Sequence, residues 1–159
     1  MTRQREQLKE KLGQIHLKDV AVIDWGSGAK PAMRYINHEG CYFVTIDKNP
    51  QIIQDRRGSK HYELDITEKV RLTDRSGVAF CLEVLEHTLN PQSVVDNIYD
   101  NLETDGKLYL SVPFLFPIHA DEDYWRFTEH GLRHLLRDFR EVSVEAFEND
   151  CGYWVEAVK

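Results

Sequence analysis

A short apolar run that leads directly into two closely spaced glycines constrains the fold of this chain more than any other feature. Residues 20–23 are apolar, Asp24 follows, and Gly26 and Gly28 stand in a Gly-x-Gly arrangement. An apolar run of this kind is typical of a buried parallel strand. Glycines allow a tight turn in which a ligand can contact the backbone. The pattern therefore predicts a strand and a turn that hold a small cofactor.

A second apolar run ends in another acid, at a distance from the glycine turn that is typical of a ribose-binding carboxylate. Residues 41–46 are mostly apolar and end at Asp47, which comes 19 residues after Gly28. A carboxylate at the end of the second strand, this far beyond a glycine turn, is placed to accept hydrogen bonds from a ribose diol. The two runs together indicate a ligand that contains a ribose.

The turn also distinguishes between classes of nucleotide. A dinucleotide fingerprint has a third glycine three positions after the second, where helix and strand pack closely beside a pyrophosphate. Pro31 occupies that position here, and proline suits the first turn of a helix because its missing N–H costs nothing there. We therefore expect a nucleoside without phosphates, and a nicotinamide-dependent oxidoreductase is the weaker alternative.

Strand-like and helix-like segments alternate along the chain. An amphipathic helix is predicted within residues 1–16, and Asn90 and Thr128 are placed to cap two further helices. The alternation predicts a mostly parallel sheet with helices on both faces, and the last two strands form an antiparallel hairpin. At 159 residues the chain is expected to form one domain, 1–159. The strand-like runs occupy residues 20–24, 42–47, 60–64, 77–83, 106–112, 140–147 and 152–158.

Five segments in a fixed order resemble the class I S-adenosylmethionine-dependent methyltransferases, in particular their small type-11-like group. The segments are DWGSG, TIDKNP, ELDIT, CLEVLEH and DGKLYLSVP, and the resemblance covers nearly the whole chain. It implies a Rossmann-like three-layer α/β sandwich, in which a mostly parallel seven-stranded sheet ends in an antiparallel C-terminal hairpin. It also implies that the chain is an enzyme with S-adenosyl-L-methionine as its cofactor.

The resemblance assigns a set of cofactor-binding residues to the ends of the strands. Asp47 would accept hydrogen bonds from the ribose hydroxyls, Asp65 would lie beside the adenine amine, and Asp24 would orient the methionine portion. Carboxylates suit this ligand because its hydroxyls, amine, ammonium and sulfonium are donors or positive charges. The full set is Asp24, Gly26, Ser27, Gly28, Asp47, Asp65, Ile66, Leu82 and Glu83.

A long segment between the fifth strand and the next helix is predicted to bind the methyl acceptor. Residues 113–128 mix aromatic and ionisable side chains, and connections of this length are usually functional. Arg126 is placed to hold a substrate carboxylate or phosphate, or alternatively to fix the loop by pairing with Asp121 or Asp123. The predicted substrate-binding residues are Phe114, Asp123, Tyr124 and Arg126.

Two histidines are the candidate catalytic residues. His119 is the first candidate for a general base, since imidazole titrates near neutral pH and can accept a proton from a hydroxyl or amine. His87 is the second, and for each of them a purely structural role is the alternative. A metal site at His119, Asp121 and Asp123 is less favoured than a hydrogen-bonded loop, so no metal is expected.

Composition limits the partners and the compartment. The chain carries 20 Lys and Arg against 27 Asp and Glu, a net charge of −7, which argues against nucleic acid as a main partner. Its three cysteines are widely spaced, and no stretch is long and apolar enough for a membrane span, so a cytoplasmic location is expected. The oligomeric state is left open, a homo-oligomer included.

The sequence thus predicts a methyltransferase that moves a methyl group to an oxygen or nitrogen of a small-molecule acceptor, a sugar or another pathway metabolite. A non-catalytic module that binds S-adenosylmethionine or serves as a scaffold is the main alternative. Neither the acceptor nor the accepting atom follows from the sequence.

Overall fold

The computed structural model describes residues 3–29, 32–49, 60–73 and 75–159, and the predicted role of Pro31 lies outside these residues. The helices are α1 (Arg3–Gly13), α2 (Pro91–Asn101) and α3 (Glu129–Leu135), with short 3-10 turns at Ala32–Arg34, Leu85–His87 and Glu148–Asp150. The strands are β1 (His16–Lys18), β2 (Ala21–Trp25), β3 (Asn37–Glu39), β4 (Tyr42–Asp47), β5 (Lys60–Glu63), β6 (Ser76–Leu82), β7 (Leu102–Pro113), β8 (Arg140–Ala146) and β9 (Gly152–Val158).

Seven of these strands form one sheet in the order β5-β4-β2-β6-β7-β9-β8. β9 runs antiparallel to both of its neighbours, whereas the pairs among β5, β4, β2, β6 and β7 are parallel. The predicted mostly parallel sheet with an antiparallel C-terminal hairpin is therefore confirmed. β2 lies where the strand order reverses, between β4 and β6, and such a point opens a crevice at the carboxyl ends of the strands.

Both faces of the sheet are covered, which explains the continuous apolar run in β2. Val22 belongs to a cluster that includes Leu12 of α1, whereas Ile23 belongs to a cluster that includes Ile98 of α2 and Leu132 of α3. Each of these residues is at most 2% exposed. Since successive strand residues point to opposite faces, a strand covered on both sides carries apolar residues on both faces, as residues 21–23 of β2 do. Helices and sheet form the predicted three-layer sandwich.

Two helices begin at the predicted capping residues. At the start of α2, Asn90 Oδ1 accepts a hydrogen bond from the Ser93 N–H, and at the start of α3, Thr128 Oγ1 accepts one from the Gly131 N–H. Each bond satisfies a donor that the first helical turn leaves unpaired. The caps fix where the two irregular segments 83–90 and 113–128 end, and these segments border the crevice.

One small sheet was not expected from the sequence. β1 and β3 form a parallel pair whose side chains are mostly exposed, so their residues carry no apolar alternation that would predict strands. The pairing also shortens the first helix. Asn37 Nδ2 donates to the Gly13 carbonyl oxygen at 2.9 Å, and the Asn37 N–H donates to that of Ile15 at 3.0 Å. α1 therefore ends at Gly13, and His16 belongs to β1 rather than to a helix over 1–16.

Two buried asparagines of α2 hold the irregular connector between β5 and β6. Asn97 Oδ1 accepts from the Val70 N–H at 3.0 Å, and Asn97 Nδ2 donates to the carbonyl oxygens of Ile66 and Glu68 at 2.9 and 2.6 Å. Asn101 binds the same connector one turn further along α2. Because this connector has no ladder of its own, the two amides supply partners for its buried backbone groups. They thereby fix Ile66 at the crevice.

We predict that Asn97→Ala lowers the free energy of unfolding by about 2 to 3 kcal/mol, because three hydrogen bonds are lost and buried backbone groups are left unpaired. Urea unfolding at neutral pH measures the change. Asp96→Ala is the matched control, since Asp96 is the exposed neighbour in the same helix. Equal stabilities of the two variants would show that the asparagine does not hold the connector.

Candidate active site

A cavity of about 380 Å³ opens at the carboxyl ends of β2, β4 and β6. Its volume lies in the range of small-molecule sites, roughly 300 to 1,000 Å³. His87 and Tyr124, predicted for catalysis and for substrate binding, are among the residues that line it. Five of the predicted cofactor-binding residues line it as well, namely Gly26, Asp47, Asp65, Ile66 and Glu83.

Four predicted cofactor residues do not line the cavity but adjoin residues that do. The Gly28 N–H donates to Asp47 Oδ2 at 2.9 Å. Asp24 is buried, and its Oδ2 accepts a hydrogen bond of 2.6 Å from the Ala32 N–H, so this carboxyl group supports the turn from behind. Ser27 Oγ is enclosed and has no partner among the described residues. The four residues are Asp24, Ser27, Gly28 and Leu82.

Gly26 occupies a position that no other residue fits. Its φ is +69°, a left-handed conformation that side chains rarely adopt, and an added Cβ would stand 2.7 Å from Val84 Cγ2. Both the backbone and the available space therefore require glycine. The turn after β2 presents bare backbone to the cavity, as the Gly-x-Gly spacing predicts.

Two carboxyl side chains face the cavity from neighbouring strand ends. Asp47 accepts one backbone hydrogen bond at each oxygen, from the N–H of Gly28 and from that of Asn49, both at 2.9 Å. Since a carboxylate oxygen has two lone pairs, each oxygen can still accept a bond from a ligand. Hydrogen bonds from the Thr67 hydroxyl and N–H lower the pKa of Asp65. This edge of the cavity therefore favours a ligand rich in hydrogen-bond donors.

Glu83 is held at the end of β6 in an unusual conformation. Its φ is +56°, a left-handed conformation that is uncommon for a residue with a side chain. Its Oε1 accepts a 2.8 Å bond from Ser111 Oγ, and its Oε2 accepts a 2.7 Å bond from Gln4 Nε2. Burial raises the pKa of Glu83. The side chain is therefore fixed by a strand on one side and by α1 on the other.

The sequence prediction did not include Gln4. It lies four residues before Leu8, and Leu8 and Leu12 form the apolar stripe by which α1 packs on the sheet. Residues at this spacing share one face of a helix. The signal was therefore a polar residue on an apolar face, and such a residue is buried only where it has a partner. Gln4 is 4% exposed and has Glu83 as that partner.

The long loop 113–128 is bonded directly to the turn that follows β6. The Tyr124 N–H donates to the Glu86 carbonyl oxygen, and Trp125 Nε1 donates to that of Thr88, both at 2.7 Å. The His87 ring nitrogen Nδ1 is hydrogen-bonded to the Glu122 carbonyl oxygen. The loop therefore forms a wall of the cavity, opposite the cofactor residues of β2 and β4.

Arg126 pairs within the loop, which is one of the two roles that the sequence left open. Its Nη2 donates to Asp123 Oδ2 at 2.8 Å, and its guanidinium also donates to the carbonyl oxygens of Phe116 and Pro117. The hydrogen bonds from Arg126 hold the pKa of Asp123 well below its usual range. Phe114 packs on Tyr153 with ring centroids 5.4 Å apart. Arg126, Asp123 and Phe114 do not line the cavity, whereas Tyr124 does.

The two candidate catalytic histidines lie side by side next to a buried acid. The rings of His87 and His119 meet edge to face with centroids 5.0 Å apart. Glu86 is 0% exposed, and neither of its carboxylate oxygens has a hydrogen-bond partner among the described residues. Burial raises the pKa of Glu86. His87 lines the cavity, and His119 lies behind it, so His87 is the closer of the two histidines to the cavity.

A family model described as a methyltransferase domain matches residues 1–157 of the chain. No protein with a curated function matches it. Across residues 3–29, 32–49, 60–73 and 75–159, no helix has both the length and the apolar character that a membrane crossing requires.

Solved methyltransferase structures share the fold over nearly the whole chain. A 1,6-didemethyltoxoflavin-N1-methyltransferase of Burkholderia thailandensis, with 1,6-didemethyltoxoflavin and S-adenosylhomocysteine bound, is 23% identical with a TM-score of 0.70, over 97% of this chain and 75% of its own. A SAM-dependent methyltransferase of Archaeoglobus fulgidus is 14% identical with a TM-score of 0.72, over 98% and 94%. A putative methyltransferase of Haloferax volcanii, in complex with the Trm112 activator, is 16% identical with a TM-score of 0.75, over 95% and 88%.

We predict that Asp24 makes stability fall as the pH rises from about 4 to about 7. Burial raises the pKa of Asp24 from 3.8 to about 7. Below pH 3.8 the carboxyl group is protonated in both states, whereas between these values only the unfolded state ionises, which favours unfolding. Three pKa units correspond to a loss of up to about 4 kcal/mol.

Asp24→Asn should remove this part of the pH dependence, because the amide cannot ionise and its oxygen can still accept from the Ala32 N–H. Urea unfolding of both proteins at intervals from pH 4 to pH 7 measures the difference. Parallel curves for the two proteins would contradict the burial of an uncharged Asp24.

Proposed function

Because the chain belongs to the methyltransferase domain family, we propose that this S-adenosylmethionine-dependent enzyme transfers a methyl group to an oxygen or nitrogen of a small-molecule acceptor. The acceptor class that we favour is a sugar or another pathway metabolite. The observation that carries the proposal is the convergence of Gly26, Asp47 and Asp65 on one cavity at the point where the strand order reverses. A ligand of matching chemistry is the donor-rich nucleoside S-adenosylmethionine.

The residues of the cavity fit this cofactor. Asp47 and Asp65 stand at the ends of adjacent strands, so a nucleoside between them can donate its ribose hydroxyls to Asp47 and its adenine amine to Asp65. The bare backbone at Gly26 allows the methionine portion to lie against the turn, where a Cβ would collide with Val84. The sequence has Pro31 in place of the third glycine that a pyrophosphate site requires. The fit favours a nucleoside without phosphates.

When bound, the cofactor supplies an electrophilic methyl group on a sulfonium, and the chain holds the cofactor and the acceptor in position. The turn after β2 and the carboxylates hold one side of the cavity, while Tyr124 of loop 113–128 forms the other. An acceptor held on the loop side would lie across the cavity from the residues that would hold the cofactor. Alignment of this kind can lower the activation free energy by about 7 to 11 kcal/mol.

His119 and His87 are the proposed catalytic residues on the acceptor side. Their rings are adjacent, and His87 reaches the cavity wall. An imidazole there can take the proton of an acceptor hydroxyl or amine as the new bond to carbon forms. Asp123 orients His119, since its Oδ2 lies 3.1 Å from His119 Nδ1. This carboxylate favours the tautomer whose Nε2 is free to act.

We also propose that the protein acts in the cytoplasm on small molecules and not on nucleic acid. All three cysteines are free, which agrees with a reducing compartment. The net charge of −7 disfavours a phosphate backbone as partner.

We predict that Asp47→Ala weakens S-adenosylhomocysteine binding by about tenfold to a hundredfold, because charge-assisted hydrogen bonds to the ribose are lost. Isothermal titration calorimetry measures the affinity. Asp138→Ala, which removes an exposed acid away from the cavity, should leave it unchanged. Unaltered affinity in Asp47→Ala would refute the assignment, and tight binding of NAD in a parallel titration would favour an oxidoreductase instead.

We predict that His119→Ala slows methyl transfer by roughly 10² to 10⁴-fold while cofactor affinity stays within about twofold of the wild type. Transfer of labelled methyl from S-adenosylmethionine into a fractionated extract of small metabolites measures the rate. His134→Ala, an exposed histidine of α3, is the control. A parallel loss of cofactor affinity would place His119 in the cofactor site, and no transfer by the wild type would favour the non-catalytic module.

A further inference from the structure

The buried acid Glu86 and the two histidines form a compact group, and no hydrogen bond among the described residues satisfies the Glu86 carboxyl group. One ligand atom from each of Glu86, His87 and His119 lies within 4.8 Å of the other two. Glu86 is fully enclosed, and both of its carboxylate oxygens lack a hydrogen-bond partner among the described residues. A buried carboxylate without partners is costly unless a positive charge or a donor meets it.

Each of the two imidazoles is already engaged through Nδ1. His87 Nδ1 is hydrogen-bonded to the Glu122 carbonyl oxygen, and His119 Nδ1 lies 3.1 Å from Asp123 Oδ2. These partners leave Nε2 of each ring as the free ligand atom. Histidines that bind metals almost always donate their other ring N–H to a backbone carbonyl or a carboxylate in this way.

The spacing also suits a metal ion. His87 Nε2 stands 3.6 Å from Glu86 Oε1, and ligand atoms in a tetrahedral zinc site with bonds of about 2.1 Å are about 3.4 Å apart. The third ligand atom, from the partly exposed His119, lies within 4.8 Å of the other two, so this ring has to move closer to bind the same ion. The basic side chain that reaches this region, Arg126, is held by Asp123 and by backbone carbonyl oxygens. It therefore does not occupy the position between the histidines and Glu86.

We propose that Glu86, His87 and His119 bind a divalent transition-metal ion such as Zn²⁺ through the Glu86 carboxylate and the two Nε2 atoms. Two imidazoles and one carboxylate form a donor set that zinc enzymes use in catalytic sites, where a fourth position stays open. Of the three proposed ligands His87 lines the cavity, so the open position would be reached from the cavity side of His87.

The chemical role of this ion rests on the proposed methyl transfer. An acceptor hydroxyl bound at the open position has a lowered pKa, so it loses its proton to solvent near neutral pH. The oxygen lone pair then forms the bond to the methyl carbon while the bond from methyl carbon to sulfur breaks and its electron pair stays on sulfur. In this route the imidazoles hold the ion and the proton leaves to solvent, and it is the alternative to the metal-free route above, in which an imidazole accepts the proton. The acceptor class is therefore an alcohol or another hydroxyl compound.

The site is tested on the full chain after dialysis against a chelator. Calorimetric titration with Zn²⁺ should show one ion per chain, and Co²⁺ should give the visible absorption of a site with mixed nitrogen and oxygen ligands. Glu86→Gln and His119→Ala should each weaken Zn²⁺ binding by more than about tenfold, and Asp123→Asn by about tenfold to a hundredfold. His134→Ala is the matched control and should bind Zn²⁺ as the wild type does.

Near-UV circular dichroism shows whether each variant is folded, and only folded variants are compared. Absence of Zn²⁺ binding to the folded wild type would overturn the inference. Equal binding by Glu86→Gln and the control would overturn it as well, because the ion would then sit on other surface histidines.

Two further measurements separate this inference from the proposed function. Methyl transfer at the full rate by the chelator-treated protein would overturn the role of the ion and leave the proposed function standing. Binding of Zn²⁺ with the expected variant pattern, but without any binding of S-adenosylhomocysteine, would support the metal site and refute methyl transfer.

Discussion

Three hydrogen bonds that join the turn after β2 to the end of β4 are the interaction on which the site depends. The N–H groups of Gly26 and Ser27 donate to the Ile46 carbonyl oxygen at 2.8 and 3.1 Å, and the Gly28 N–H donates to Asp47 Oδ2. They fix a bare backbone turn beside the Asp47 side chain at the reversal point of the sheet. Without them the parallel strands would still pack, but the cavity would lose the alignment of its two cofactor elements.

The second half of the site depends on one loop. Segment 113–128 is held internally by Asp123 and Arg126 and is bonded to the turn after β6 through Glu86 and Thr88. Burial raises the pKa of both Glu86 and Glu83. At Glu83, hydrogen bonds from Ser111 and Gln4 offset part of the free-energy cost of burial. At Glu86 neither carboxylate oxygen has a hydrogen-bond partner among the described residues, and His87 Nε2 lies 3.6 Å from Oε1. We therefore place the proposed metal ion at Glu86 and not at Glu83.

Much of the fold was predictable from the sequence, because strands buried on both faces leave continuous apolar runs. β2 and β4 are examples. Asp47, the acid after the second run, ends β4 at the cavity, whereas Asp24 lies one residue before the end of β2 and is buried. β1 and β3 were not predictable, since their side chains are mostly exposed and backbone pairing alone defines them. Local side-chain chemistry was sufficient for the helix caps at Asn90 and Thr128.

The site was predictable where one strand end or one turn determines a residue's place, as for Gly26 and Asp47. Contacts between distant segments were not predictable. Gln4 meets Glu83 from 79 residues away, and the pairing of His87 with His119 depends on how the loop folds back. For Arg126 the sequence left open a substrate carboxylate or phosphate, or pairing with Asp121 or Asp123, and in the structure Arg126 pairs with Asp123 three residues earlier.

The central claim is that the glycine turn and Asp47 hold the ribose of a phosphate-free nucleoside. A crystal structure of the protein with S-adenosylhomocysteine tests it most directly, through the distances from the Asp47 carboxylate oxygens to the ribose hydroxyl oxygens. The account predicts charge-assisted hydrogen bonds of about 2.5 to 2.7 Å. A nucleoside bound elsewhere, or ribose oxygens beyond roughly 3.5 Å from Asp47, would contradict it.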